Sequence, residues 1–172
     1  ELDLLPLFMS GDGDPAMITL TYPGDWQTVA PDGVVVKNHL VQFRKRFERA
    51  WGAAAVGFWK LEFQRRGAPH FHLFMVPPGG LAGEERRRVH EESMRRWELE
   101  GGSRPRWRES VGDGLPFREW LSLVWADVVN HPDPVERMNH ERAGTAVDYA
   151  EAARGRDPKR LAVYFGKHGS FA

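Results

Sequence analysis

The chain has 172 residues, with 24 basic and 24 acidic side chains for a formal net charge of zero, 41% hydrophobic residues and no cysteine. Such a length and apolar content suit one soluble globular domain with an adequate core, and the lack of cysteine excludes a disulfide scaffold, a thiolate metal site and a cysteine nucleophile. No apolar run approaches the roughly 18 residues needed to cross a bilayer, and the N-terminus lacks the basic flank of a signal peptide; a cytoplasmic location without a membrane partner is expected.

Neutrality hides an uneven distribution. Residues 1–33 hold six acidic side chains and no Lys or Arg, so the remaining 24 basic and 18 acidic residues leave 34–172 at +6. A mildly basic body permits a polyanionic partner without requiring one.

In chain order, residues 16–22 alternate polar and apolar up to Pro23 and read as a strand. From Val36, apolar residues at Leu40, Phe43, Phe47 and Trp51 follow the period of an amphipathic helix. Residues 55–64 and 69–76 read as two strands joined at Arg66-Gly67-Ala68, a hairpin. Residues 77–115 are bounded by Pro77-Pro78-Gly79-Gly80 and contain glycine clusters; Glu84 to Glu98 carries helical charge pairs with few apolar positions, which predicts a solvated helical insertion. Phe117, Trp120, Leu121, Val124, Trp125 and Val128 mark a further helix, a short strand follows near 145–149, and Asp157-Pro158 announces a last helix. Setting the insertion aside, the order strand, helix, strand, strand, helix, strand is the split βαβ arrangement: an α+β, two-layer, ferredoxin-like antiparallel sheet with helices on one face. One domain spanning 1–172 is expected.

The hairpin carries the most informative chemistry, because side chains alternate faces with period two. Trp59, Leu61, Phe63, Phe71, Leu73 and Met75 share one face, suited to a helix-covered core; Lys60, Glu62, Gln64, His70 and His72 share the other. Pairing Gln64 with His70 and Glu62 with His72 would bring two imidazoles and a carboxylate together, since opposed Cβ atoms are about 5 Å apart. Neutral imidazole with carboxylate suits Mn²⁺, Zn²⁺ or Fe²⁺, and substrate oxygens extend the range to Mg²⁺. Glu62 is preferred over Gln64 as third ligand because a hard dication gains more from a formal negative charge.

The segment from Lys60 to His72, Lys-Leu-Glu-Phe-Gln-Arg-Arg-Gly-Ala-Pro-His-Phe-His, resembles the metal-binding motif of HUH endonucleases, specifically the replication initiators of rolling-circle plasmids and phages. Leu20-Thr21-Tyr22-Pro23 resembles their first motif, His140 to Thr145 is similar to the segment before their last strand, and Val163-Tyr164-Phe165-Gly166-Lys167 resembles their catalytic-tyrosine motif; the matches lie in family order.

The resemblance implies nicking and joining of single-stranded DNA or an origin hairpin, dependent on Mn²⁺ or Mg²⁺. Tyr164 would attack the scissile phosphate and leave a 5′-phosphotyrosine and a free 3′-OH. Its helical neighbours Arg160, Lys167 and His168 would face the phosphate or the departing oxygen, with His168 also a candidate proton carrier. Because His168 stands where many relatives have a second tyrosine, a single-tyrosine mechanism is expected. Tyr149 is the rival nucleophile, and its place on a predicted strand makes it a packing residue. Thr19, Thr21, Tyr22, Lys60, Arg65 and Arg66 are candidate DNA contacts across the exposed sheet face, with Tyr22 placed to stack on a base. Arg104-Pro105-Arg106-Trp107-Arg108 has the composition of a DNA clamp. A host helicase and polymerase are expected partners, since no nucleotide-binding Gly-x-x-x-x-Gly-Lys-Ser/Thr loop is present, and the protein is expected to be a monomer or weak dimer.

Three rival readings remain at this level: a transposase or relaxase of the same wider group, a non-catalytic module binding single-stranded nucleic acid on its sheet, and a metal-dependent oxygenase or isomerase with two histidines and a carboxylate. The chain starts at Glu1 without Met and is expected to be a domain cut from a longer protein.

Overall fold

The computed structural model describes residues 13–154. Four strands, β1 (Ala16–Thr21), β2 (Phe58–Phe63), β3 (Pro69–Met75) and β4 (Thr145–Asp148), form one antiparallel sheet in the spatial order β2-β3-β1-β4. The described helices are α1 (Gly33–Trp51), α2 (Glu84–Glu100), α3 (Phe117–Val129), α4 (Pro134–Ala143) and α5 (Tyr149–Arg154). The result is the two-layer, ferredoxin-like α+β architecture expected from element order.

Alternation decides which way β1 faces. Ala16, Ile18 and Leu20 point into the helix-covered core, while Met17, Thr19 and Thr21 point to the opposite side. Helix α1 begins earlier than Val36 because Asp32 caps it, its carboxylate accepting from the Val34 and Val35 N–H groups at 2.9 and 3.0 Å. It ends at Gly52, whose φ of 75° is the left-handed conformation of a helix C-terminus. Its buried stripe, Val36, Phe43, Phe47 and Ala50, packs against α3 through aromatic rings: Phe43 lies 5.9 Å from Trp120 and 6.0 Å from Trp125, and Phe47 lies 5.8 Å from Trp120.

The hairpin keeps the expected faces but not the expected pairs. Glu62 lies opposite His70 and Lys60 opposite His72, so each partner is displaced by two residues from the Gln64/His70 and Glu62/His72 pairing. The cause is a tighter turn: Gly67 N–H donates to the Gln64 carbonyl at 2.7 Å, Gln64 N–H donates to the Ala68 carbonyl at 3.0 Å, and Gly67 takes φ 79°. A shift of two preserves parity, so every polar residue stays on its predicted side. Phe63, expected in the core, is 69% exposed because the strand ends there, past the cover of α1.

Two helices go beyond the sequence expectation. Helix α4 is capped by Asp133, which accepts from Val135 and Glu136 N–H at 2.7 and 3.1 Å, with Pro134 in its first turn. Helix α5 follows β4 directly and lays Ala152 on Met17 and Phe74, on the sheet face opposite the main core. That face is thus covered at one end and carries the histidines at the other. Tyr149, read as a strand residue, instead opens α5 and is 44% exposed, with the Arg118 guanidinium 5.9 Å from its ring. The predicted helix starting at Asp157 lies outside the described residues.

The insertion is helical as expected, and α2 has no buried residue. Its root is nevertheless fixed: Gly83 N–H donates to the Ala50 carbonyl at 2.7 Å, and Asp113 holds Arg86 through both carboxylate oxygens at 2.8 and 3.1 Å.

Candidate metal and nucleic-acid site

β3 presents His70 and His72 on the same side of the sheet, their rings 4.5 Å apart edge to face. β2 contributes Glu62, whose Oε2 lies 3.3 Å from His72 Nε2. On the other flank β1 supplies Thr19, opposite His72, with Oγ1 3.1 Å from His72 Nδ1. Gln64 lies 3.3 Å from His70 Nδ1 through its amide nitrogen, and its amide oxygen accepts from Arg66 Nε at 2.8 Å. Both imidazoles are therefore fixed at Nδ1 by a neighbouring polar side chain, the arrangement that orients histidine as a ligand.

The electrostatics keep these groups in ligand form. Burial lowers the pKa of His70, reinforced by the nearby His72; burial likewise lowers that of His72, against the opposing pull of Glu62. Both rings are thus neutral at physiological pH. Glu62 is held below the usual carboxylate range, first by its hydrogen bond from Lys60, so it is ionised. Lys60, expected to reach DNA, is instead 8% exposed and ion-paired to Glu62. A residue that sequence reasoning missed, Glu151 in α5, adds negative charge near His72; it follows β4 on a helix that the alternating pattern does not reveal.

Among the described residues no three His, Asp or Glu side chains stand as a complete set of metal ligands. The donor chemistry nonetheless fits a divalent ion. Two ligand atoms each about 2.1 Å from a common ion, at tetrahedral to octahedral angles, are about 3.0–3.4 Å apart, and the Glu62 and His72 atoms are 3.3 Å apart. His70 would complete the set by a turn of its ring, with Glu62 loosening from Lys60.

The remaining predicted contacts sort differently. Tyr22 cannot stack on a base: it is 2% exposed, its hydroxyl lies 3.0 Å from His39 Nδ1, and its ring is 5.4 Å from Trp125. Its position, read as a strand end open to solvent, falls on the core parity of β1. Arg66 is committed to the fold, donating to the carbonyls of Tyr22, Pro23 and Gly24 and so clamping the loop after β1 to the hairpin turn. Arg65 is exposed at that turn. Thr21 lies opposite His70, and its buried Oγ1 has no hydrogen-bond partner among the described residues. Its carbonyl accepts from two core donors, Trp125 Nε1 at 2.6 Å and His140 Nε2 at 2.7 Å, which pins the end of β1 beside the histidines. Arg160, Tyr164, Lys167 and His168 lie outside the described residues.

An antiparallel sheet that offers two neutral histidines and a carboxylate on its open end, backed by two aromatic-packed helices, defines an α+β domain equipped to meet a phosphate through a metal ion. The family model of the replication-associated protein of ORF2 type matches residues 15–113, more than half of the chain and all of β1, the hairpin and the insertion helix. The chain belongs to this replication-associated protein family, which marks it as a rolling-circle, Rep-like protein that acts on DNA. No curated protein and no solved structure matches it. No helix among the described residues is long and apolar enough to cross a membrane.

Proposed function

We propose that the chain is a single-tyrosine HUH endonuclease that nicks and rejoins single-stranded DNA at a replication origin, with His70, His72 and Glu62 holding a divalent ion and Tyr164 as nucleophile. The observation that carries this reading is the pair of neutral imidazoles with an ionised carboxylate at ligand spacing, in a member of a replication-associated family.

The residues divide the work. Thr19 and Gln64 orient the rings of His72 and His70, and Lys60 balances the Glu62 charge until a cation takes its place. Mn²⁺ or Mg²⁺ held there would polarise a non-bridging oxygen of the scissile phosphate and align it for in-line attack. The Tyr164 phenol oxygen forms a bond to phosphorus, its proton is lost, and the 3′ oxygen departs and takes up a proton, with His168 as the candidate carrier. A free phenol has a pKa near 10, so the cations Arg160 and Lys167 would assist by stabilising charge at the phosphate. One phosphate ester replaces another, and rejoining needs no nucleotide hydrolysis. A single-stranded segment or origin hairpin would approach over Arg65.

The test is denaturing electrophoresis after incubation with a labelled origin-derived single strand and Mn²⁺. The reading expects a covalent protein–DNA band, lost in Tyr164→Phe and in the His70→Ala/His72→Ala double variant. A band that persists in Tyr164→Phe would reassign the nucleophile, and one that persists in the histidine variant would remove the ion from the chemistry.

A further inference from the structure

A second concentration of cationic and aromatic groups lies in the insertion, away from the histidines. Helix α2 presents Arg86, His90, Met94 and Trp97 along one side at spacings of three and four residues. The chain then returns over that side. Trp107 places its ring 5.4 Å from His90, with the guanidinium carbons of Arg86 and Arg87 at 5.0 and 5.7 Å, while Arg104 sits 5.4 Å from the Trp97 ring, whose Nε1 donates to the Gly102 carbonyl at 3.1 Å. Arg86 also donates to the Arg108 carbonyl at 3.1 Å. The return segment is therefore built onto the helix.

Between them lies a cleft of about 880 Å³ lined by His90, Met94, Arg104, Pro105, Arg106 and Trp107. Its volume is that of a ligand site. Arg104 and Arg106 are exposed, and neither forms an ion pair among the described residues. The glutamates that pair on α2, Glu85 and Glu92 with Arg88, lie on the other side of the helix at 100° per residue. The cleft thus joins uncompensated guanidinium groups to a flat apolar floor, the combination that takes phosphates and bases together. An acidic peptide would use the charges but leave the Trp107, Pro105 and Met94 floor without a function.

We infer that this cleft is a second nucleic-acid site, which holds a single-stranded stretch outside the segment being cut, with phosphates on Arg104 and Arg106 and a base against the apolar floor. The inference rests on the reading of the chain as a single-strand nickase. Its position separates the two sites: α2 is rooted at Ala50 near the end of α1, beyond the Met75 end of β3, whereas His70 lies at the opposite end of that strand, about 17 Å away at 3.3 Å per residue. One strand lying on both would be gripped at two points.

The experiment is fluorescence anisotropy of the full chain with a labelled thirty-nucleotide oligothymidylate, without metal, across a salt series. Arg104→Ala/Arg106→Ala is expected to bind about tenfold more weakly at 0.1 M salt, with the slope of log K against log salt reduced by about 1.4, the value for two lost single-strand phosphate contacts. Arg88→Ala/Arg95→Ala, the same charge change on the other side of α2, is expected to keep the parent slope, and Arg104→Ala/Arg106→Ala is expected to nick a minimal oligonucleotide at the parent rate. The inference is overturned if the first variant matches the parent in affinity and slope, if both double variants weaken binding equally, or if polyglutamate displaces the oligonucleotide as well as unlabelled oligothymidylate does. Absence of nicking by the parent protein would count against the nickase reading alone, because the binding comparison needs neither the ion nor Tyr164.

Discussion

Replacing Trp125 by Phe tests how the core holds the end of β1 beside the histidines. Trp125 is fully enclosed, and its Nε1 is one of two side-chain donors to the Thr21 carbonyl. Loss of one hydrogen bond costs about 1 kcal/mol. Phe is smaller by roughly 40 Å³, and at about 24 cal/mol per Å³ of unfilled space the cavity adds about 1 kcal/mol. The total of about 2 kcal/mol corresponds to a fall of about 1 M in the urea midpoint, for a slope near 2 kcal/mol/M. Because His140 still donates to Thr21, adding His140→Phe should destabilise by more than the two single changes combined, leaving the carbonyl without a side-chain donor. A midpoint within about 0.3 M of the parent for Trp125→Phe, or strict additivity in the double variant, would refute the two-donor account.

Three further outcomes follow from named contacts. Asp32→Ala should lower stability by about 1 kcal/mol in urea unfolding, since it removes the acceptor for two N–H groups at the start of α1. Burial lowers the pKa of His140, so its folded form is neutral and the unfolded chain takes up the proton first; stability should be intact above about pH 6.5 and fall below it, with His140 contributing a slope of up to about 1.4 kcal/mol per pH unit that His140→Gln removes. Thr19→Val, which frees His72 Nδ1, should weaken Mn²⁺ binding by about tenfold or more in calorimetry while leaving the urea midpoint within about 0.5 M.

Much of this architecture is legible in the sequence because period and parity survive small errors. The β3 pattern Phe71, Leu73, Met75 against His70, His72 fixes faces whatever the register, so the two-residue displacement of the hairpin leaves the candidate site on the expected side. The displacement itself depends on whether the turn closes through Gln64 and Ala68, which Gly67 permits but composition does not dictate. Helix α4 carries a readable signal in Asp133-Pro134, the same pair of cues applied at Asp157-Pro158. Charge is the poorer guide. Lys60 and Arg66 look like DNA contacts in a sequence, yet one is drawn into an ion pair with Glu62 and the other into backbone carbonyls, because long cationic side chains satisfy buried acceptors as readily as they reach solvent. Tyr22 is misplaced for a related reason: a motif match puts it beside the site, whereas strand parity puts its ring in the core.

The most direct measurement is mass mapping of the covalent product. After reaction with a short origin-derived strand and Mn²⁺, proteolysis should yield one peptide carrying the nucleotide mass on Tyr164, and none from the His70→Ala/His72→Ala variant. The same mass on Tyr149, or on Tyr164 in that variant, would contradict an ion-assisted attack organised by the paired histidines.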